Sequence, residues 1–295
     1  MDAPSDDSSL YLSVYVLGAL GFIFTVLQLQ LIYIIFAYKD FRTNLTCIII
    51  AIGSVTELAQ NVSHFYSAIC LFFDNPLIYQ ISKVFGALTV ASFSSSISVN
   101  FVLGLNRLDV FKPSWITFNI KDAYLIVLLV LISVISVALF VLSCTPMLVF
   151  IFTKSNVSWM FHGELASPFM NLSFWINSVC LCGTLVCYVL IFYTIVTKRK
   201  LITTGSTKVA SSEIKLLIGA TLQFVLVLIV NIALKFQSSL PHLFIYVNLT
   251  LTCGAKPIIH LSVNKKLRKR YFKGLYSAFS SSNMTITRSG QLPYV

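Results

Sequence analysis

The chain has 295 residues, 57% of them hydrophobic and only 11% charged, with a mean hydropathy of +0.86 and a formal net charge of +11. A soluble domain carries about a quarter charged residues, so this chain has too few to coat a globule of its size, and its apolar surface must face lipid. The positive balance does not point to nucleic acid, because the basic residues sit in short clusters between long apolar runs, the pattern of loops lying against a cytoplasmic leaflet.

The first nine residues, MDAPSDDSS, are acidic and polar, and an uncharged stretch from Leu10 to Tyr38 follows. It lacks the basic start, short apolar core and small-residue cleavage site of a signal peptide, so it is expected to stay as a first helix that also directs insertion. A helix needs about 20 apolar residues to cross a bilayer. Seven segments qualify: Leu10–Ala37, Leu45–Leu71, Val84–Leu105, Ala123–Phe152, Pro168–Thr197, Leu216–Leu234 and Leu243–Val263. The seventh is the weakest, interrupted by Lys256, Pro257 and His260. No internal repeat of the kind found in many transporters is visible. The expected architecture is an all-α membrane protein, with an extracellular segment at 1–9 and a seven-helix transmembrane domain at 10–264.

After the last span comes NKKLRKRYFKGLYSAF, in which Leu267, Tyr271, Leu275 and Phe279 recur every four residues among basic neighbours. This predicts a short amphipathic helix on the inner leaflet over 265–279, with a disordered basic tail as the alternative. Residues 280–295 read as a disordered cytoplasmic tail.

Basic residues set the orientation. With the N-terminus outside, seventeen of the 21 lysines and arginines fall on the cytoplasmic side, among them Lys39, Arg42, Arg107, Lys121, the 198–215 cluster and the 265–273 cluster. Lys83, Lys154 and Lys235 lie at outer ends, and Lys256 lies within the membrane. That bias predicts N-terminus out and C-terminus in. Of six N-x-S/T sequons, only Asn156 falls in an outer loop with room for a glycan. The seven cysteines form no CxxC and read as small packing residues in helices.

Polar groups inside a membrane are costly and mark sites of interest. Glu57, Asn61 and His64 share one face of the second span at i, i+4 and i+7. The third span carries Ser92, Ser94, Ser95, Ser96, Ser98 and Asn100, which serve either close packing or the lining of a cavity. Lys256 and Glu57 lie deep on helices that would be neighbours. They either form a pair within a polar network with Asn61, or Lys256 snorkels to the inner interface about 12 Å away; the sequence leans to snorkelling. Enzymatic activity is not expected. His64, His162, His242 and His260 are scattered, and there is no HExxH, GxSxG, glycine-rich phosphate loop or carboxylate pair. No cofactor or metal is expected.

The layout of seven spans, N-terminus outside and a basic amphipathic stretch after the last helix resembles the G-protein-coupled receptors. Leu105-Asn106-Arg107-Leu108 is similar to the acidic-Arg-aromatic motif at the inner end of their third helix, with only the arginine kept, and Pro113 falls where many have a proline in the second inner loop. Lys256-Pro257-Ile258-Ile259-His260 resembles their Asn-Pro-x-x-Tyr motif, with only the proline kept. The phrases FRTNLTCIIIAIGSVTEL, LGLNRLDVFKPSW and KPIIHLSVNKKLRKRYF are similar to nematode serpentine chemoreceptors, the Srt- and Srx-type groups above all.

This resemblance implies a plasma-membrane receptor of sensory neurons. It would take a small molecule from outside and signal to a heterotrimeric G protein, with membrane lipid as its surroundings and no nucleic-acid partner. Asn106, Arg107, Pro113, Pro257 and His260 would serve coupling and activation. The ligand pocket would lie in the outer half of the second, third, fifth and seventh spans, with His64, Ser92, Phe93, Ser96, Phe174, Trp175 and Tyr246 as candidates. The disulfide that ties the third helix to the second outer loop in many receptors cannot form, because neither segment has a cysteine. A Cys70–Cys144 substitute is conceivable but not expected. The competing classes are a transporter or channel, and a non-signalling accessory membrane protein.

Overall fold

The computed structural model describes residues 7–72, 77–111, 120–153, 158–201, 211–236, 242–263 and 266–272. The elements run α1 (Asp7–Ala37), a short α2 (Lys39–Arg42), α3 (Leu45–Phe72), α4 (Leu77–Phe111), α5 (Asp122–Ser143), β1 (Val149–Thr153), β2 (Ser158–His162), α6 (Ala166–Leu201), α7 (Ser211–Lys235) and α8 (His242–Val263). Residues 266–272 add a further helical stretch. In hydrocarbon no water can satisfy the backbone, and helices bond all their own amides, so long apolar segments become helices. Among the described residues, α1, α3, α4, α5, α6 and α7 are long and apolar enough to cross a membrane. Helix α8 is the right length but is diluted by Asn248, Thr250, Thr252 and Lys256.

The seven long helices close into a bundle. Helix α1 packs on α3 and α8, α3 on α4, α4 on α5 and α6, α6 on α7, and α7 on α8. Helix α4 is the central member and also holds β1. Helix α5 sits at the rim. It buries only Leu125, Leu129 and Ser143, and it turns Tyr124, Val127, Val130, Val134 and Val141 outward. One core cluster joins α4, α6 and α7 around Ile97, Tyr188, Ile191 and Phe224. A second gathers Tyr66, Val90, Phe150, Trp159, Val230 and Leu249 beneath the hairpin.

The fourth span departs from expectation. The apolar run was expected to remain helical to Phe152, but α5 stops at Ser143. The Cys144 and Thr145 amides fold back onto the Phe140 and Leu142 carbonyls, and Pro146 cannot continue the helix. The run resumes at Val149 as a strand. Its partner comes from the stretch read as an outer loop, with Phe150 opposite Phe161 and Phe152 opposite Trp159. At the exit of β2, Gly163 has φ 105°. A Cβ there would come within 2.4 Å of the Met147 carbonyl oxygen, so both its conformation and its space call for glycine.

The helical stretch 266–272 buries Leu267 and Tyr271 against Leu31, Ile34, Ile35 and Phe41. Arg270 lies 4.6 Å from the centre of the Tyr38 ring. The apolar face anticipated on the amphipathic segment thus packs, in its described part, on the end of α1. Leu275, Phe279 and the tail 280–295 lie outside the described residues.

Candidate functional site

A cavity of about 280 Å3 opens under the hairpin, among α4, α6, α7 and α8. Its walls are largely aromatic: Phe93 from α4, Phe150, Trp159 and Phe161 from the hairpin, and Phe169 and Phe174 from α6. The hairpin is held in place by fixed contacts. Trp159 is 1% exposed, and its Nε1 donates to Ser67 Oγ at 3.0 Å. Phe150 stacks on Trp159 at 5.6 Å and meets Phe161 at 4.2 Å. Gly86 on α4 lets the backbone of β1 come close. A Cβ at Gly86 would overlap the Phe150 carbonyl oxygen.

Polar groups line one side of this cavity. Asn177 and Asn231, both buried, make long bonds through Nδ2 among the described residues, to Ser173 Oγ at 3.4 Å and Ser178 Oγ at 3.3 Å. Asn177 Oδ1 has no partner among the described residues. Lys235, at the end of α7, donates to Asn171 Oδ1 at 2.5 Å and lies over the Phe174 ring. No acidic residue lines the cavity among those described.

A second centre lies in the middle of the bundle. Lys256 Nζ is 2.7 Å from Glu57 Oε1, and both side chains are almost fully buried. Lys256 therefore points into the bundle, and the snorkelling reading is corrected. The reason is steric. Gly53, one turn before Glu57, leaves open the space that Nζ occupies, and a Cβ there would sit 2.5 Å from Nζ. Ser96 Oγ donates to Glu57 Oε1 at 3.2 Å, and Gln28 Nε2 to Oε2 at 2.8 Å. Proline lacks an N–H, so Pro257 leaves the carbonyl four residues earlier, that of Cys253, without its helical donor. Gln28 Nε2 supplies one at 2.9 Å. Cys253 Sγ donates in turn to Gln60 Oε1 at 3.0 Å. Asn61, expected in this network, is fully buried, but neither of its amide atoms has a partner among the described residues.

The third place is the α4 end that carries Arg107. This arginine is 8% exposed and lies within electrostatic reach of Tyr188 on α6 and His260 on α8. Its Nε and Nη1 have no hydrogen-bond partner among the described residues. Asn106 donates through Nδ2 to Thr46 Oγ1 at 2.7 Å, tying α4 to α3. Pro113 lies outside the described residues.

The expected pocket residues separate. Phe93 and Phe174 line the cavity. Trp175, next to Phe174 on the helix, is 66% exposed and turned away from the bundle. Ser92 bonds within its own helix, to the Leu88 and Thr89 carbonyls, and Ser96 belongs to the Glu57 centre. His64 is buried on α3 and is not part of the cavity lining. Tyr246 falls on α8, but its side chain is outside the described set, as is Asn156. Lys235, Asn171 and the hairpin aromatics are not among the residues expected to line the pocket. The one available signal was Lys235, a lone cation at an outer helix end. All seven cysteines are free, Cys70 and Cys144 included.

No protein-family model matches the chain, and no curated protein matches it by sequence. Its fold does match a solved structure. The crystal structure of squid rhodopsin superposes with a TM-score of 0.73 at 11% identity, covering 99% of this chain and 94% of that one. The fold is a seven-helix bundle of G-protein-coupled receptor type, and the chain is a multi-pass membrane protein.

Proposed function

We propose that the chain is a chemosensory G-protein-coupled receptor. It takes a small molecule from outside the cell into the cavity under the hairpin and signals to a heterotrimeric G protein at the Arg107 end. The observation that carries this reading is the pairing of a receptor-type fold with a ligand-sized cavity roofed by a hairpin of fixed geometry. Its volume is near the lower end of the roughly 300–1,000 Å3 of small-molecule sites. Fold alone does not fix function, so the cavity carries the weight.

The mechanism follows from the two ends of the bundle. A ligand wedged among α4, α6, α7 and the hairpin acts by differential binding, favouring one arrangement of α6 and α7 over another. At the far end Arg107 Nε and Nη1 have no partner among the described residues, donors suited to the exposed carbonyls of a partner helix. The Glu57–Lys256 centre ties α3 to α8 between the two and gives the helices a shared pivot. The phrases around Arg107 and Pro257 support placement among nematode serpentine chemoreceptors, with the plasma membrane of sensory neurons as the location.

The test expresses the chain with a tag at each terminus and records G-protein-linked signalling during exposure to a panel of odorants and metabolites. Antibody staining of intact cells should reach the N-terminal tag only. A compound that signals through the native chain and not through Arg107→Ala, at equal surface expression, supports the reading. Staining of the C-terminal tag on intact cells would overturn it.

A further inference from the structure

The lining of the cavity specifies a class of ligand, an inference that rests on the receptor reading above. Lys235 is the only charged residue in the described lining. Its contacts there, the Asn171 side-chain Oδ1 and the face of Phe174, are neutral. No carboxylate stands in the described wall, so among the described lining residues the positive charge of Lys235 is uncompensated. Such a charge, exposed at the end of α7, repels an amine and attracts an anion.

The deeper polar groups point to a second contact. Asn177 is 2% exposed, and its Oδ1 accepts no hydrogen bond from the described residues. A buried acceptor left unmade is costly, and an occupant with an O–H or N–H relieves that cost. Asn177 and Asn171 lie six residues apart on α6, about 9 Å along the helix at 1.5 Å per residue. Phe93, Phe150, Phe161, Phe169 and Phe174 line the same cavity and favour an apolar or aromatic body.

We infer that the cavity takes small amphipathic organic acids. The carboxylate meets Lys235 Nζ, an aromatic or aliphatic body fills the phenylalanine wall, and a hydroxyl or N–H at the far end donates to Asn177 Oδ1. Asn171 positions the lysine. Amines are excluded by charge, and neutral molecules of the same shape lack the ionic contact.

The probes are 4-(4-hydroxyphenyl)butanoic acid, its primary amide, the corresponding amine, and the acid without its hydroxyl. The full-length chain in lipid nanodiscs is heated with a thiol-reactive dye, which reports unfolding through the buried free cysteines Cys70, Cys187 and Cys253. The hydroxylated acid should raise the midpoint in a concentration-dependent way, and the amine should not. Lys235→Ala should weaken the acid about tenfold or more, the size of a lost charged hydrogen bond. Lys235→Glu should reverse the order, so that the amine stabilises and the acid does not. Asn177→Leu should weaken the hydroxylated acid and leave the acid without hydroxyl unaffected. Equal stabilisation by acid, amide and amine would overturn the inference, as would no stabilisation by any acid, or an acid effect indifferent to Lys235. G-protein nucleotide exchange in the same nanodiscs separates the two levels. Acid binding that never drives exchange sinks the receptor reading alone. Exchange driven by amines regardless of residue 235 sinks the acid class alone.

Discussion

The ammonium of Lys256 sits 2.7 Å from the Glu57 carboxylate in the middle of the bundle, reached through the gap left by Gly53. Removing one member of a buried pair strands the other charge and costs about 3–5 kcal/mol. Glu57→Gln and Lys256→Met should therefore each lower surface expression and the thermal midpoint. The reciprocal double variant, Glu57→Lys with Lys256→Glu, should recover a large part of the loss. Surface staining and thermal unfolding check this, and no recovery in the double variant would count against the pair as a structural tie.

Gln28 has a task created by Pro257, since it supplies the donor that the proline takes away from the Cys253 carbonyl. Replacing Pro257 by Ala returns a backbone N–H to that carbonyl. Gln28→Leu should then cost less in the Pro257→Ala background than in the native chain, by about 0.5–1.5 kcal/mol, the net worth of one hydrogen bond. A double-mutant cycle on thermal stability measures the coupling. Strict additivity would mean that Gln28 acts through Glu57 alone.

Much of this architecture is legible in the residues, for a physical reason. Lipid demands about 20 apolar residues per span, and that demand marks seven segments without any knowledge of packing. What escapes is whatever depends on partners. The run ending at Phe152 carries no charged residue, and uncharged, mostly apolar sequence does not separate a helix from a buried strand, so the hairpin that roofs the cavity reads as helix and loop, although Pro146 marks the break. Phe174 and Trp175 are adjacent and chemically alike, yet the helix turns one into the cavity and the other away from the bundle. The inward course of Lys256 depends on Gly53, which precedes Glu57 by one turn on the same face and was the available clue.

Gly86 sets how close the hairpin lies to α4, because a Cβ there would collide with the Phe150 carbonyl. Gly86→Ala should displace β1 and destabilise the chain by about 1–3 kcal/mol, as overpacking does. It should also abolish ligand binding in the cavity. Gly104→Ala is the control, since its Cβ would meet Cys187 at an ordinary 3.5 Å. Thermal unfolding of both variants checks the difference, and equal tolerance would contradict the close seating of the hairpin.

Trp159 joins the roof to α3 near its Phe72 end through Nε1 and Ser67. Trp159→Phe keeps most of the aromatic contact and should cost about 1 kcal/mol, the net value of one hydrogen bond. Trp159→Ala should cost about 3–5 kcal/mol by leaving a void in the core. Similar small losses for both would show that the hairpin is not packed as described.

The most direct test of the central claim is nucleotide exchange on purified heterotrimeric G proteins by the chain reconstituted in nanodiscs, with and without a compound that binds the cavity. The account predicts exchange that rises with the compound, falls to background in Arg107→Ala at unchanged binding, and is lost with the cavity in Gly86→Ala. A compound shown to bind the cavity that leaves exchange at background across all heterotrimer classes would contradict it, and the chain would then be a receptor-shaped binding protein that does not couple.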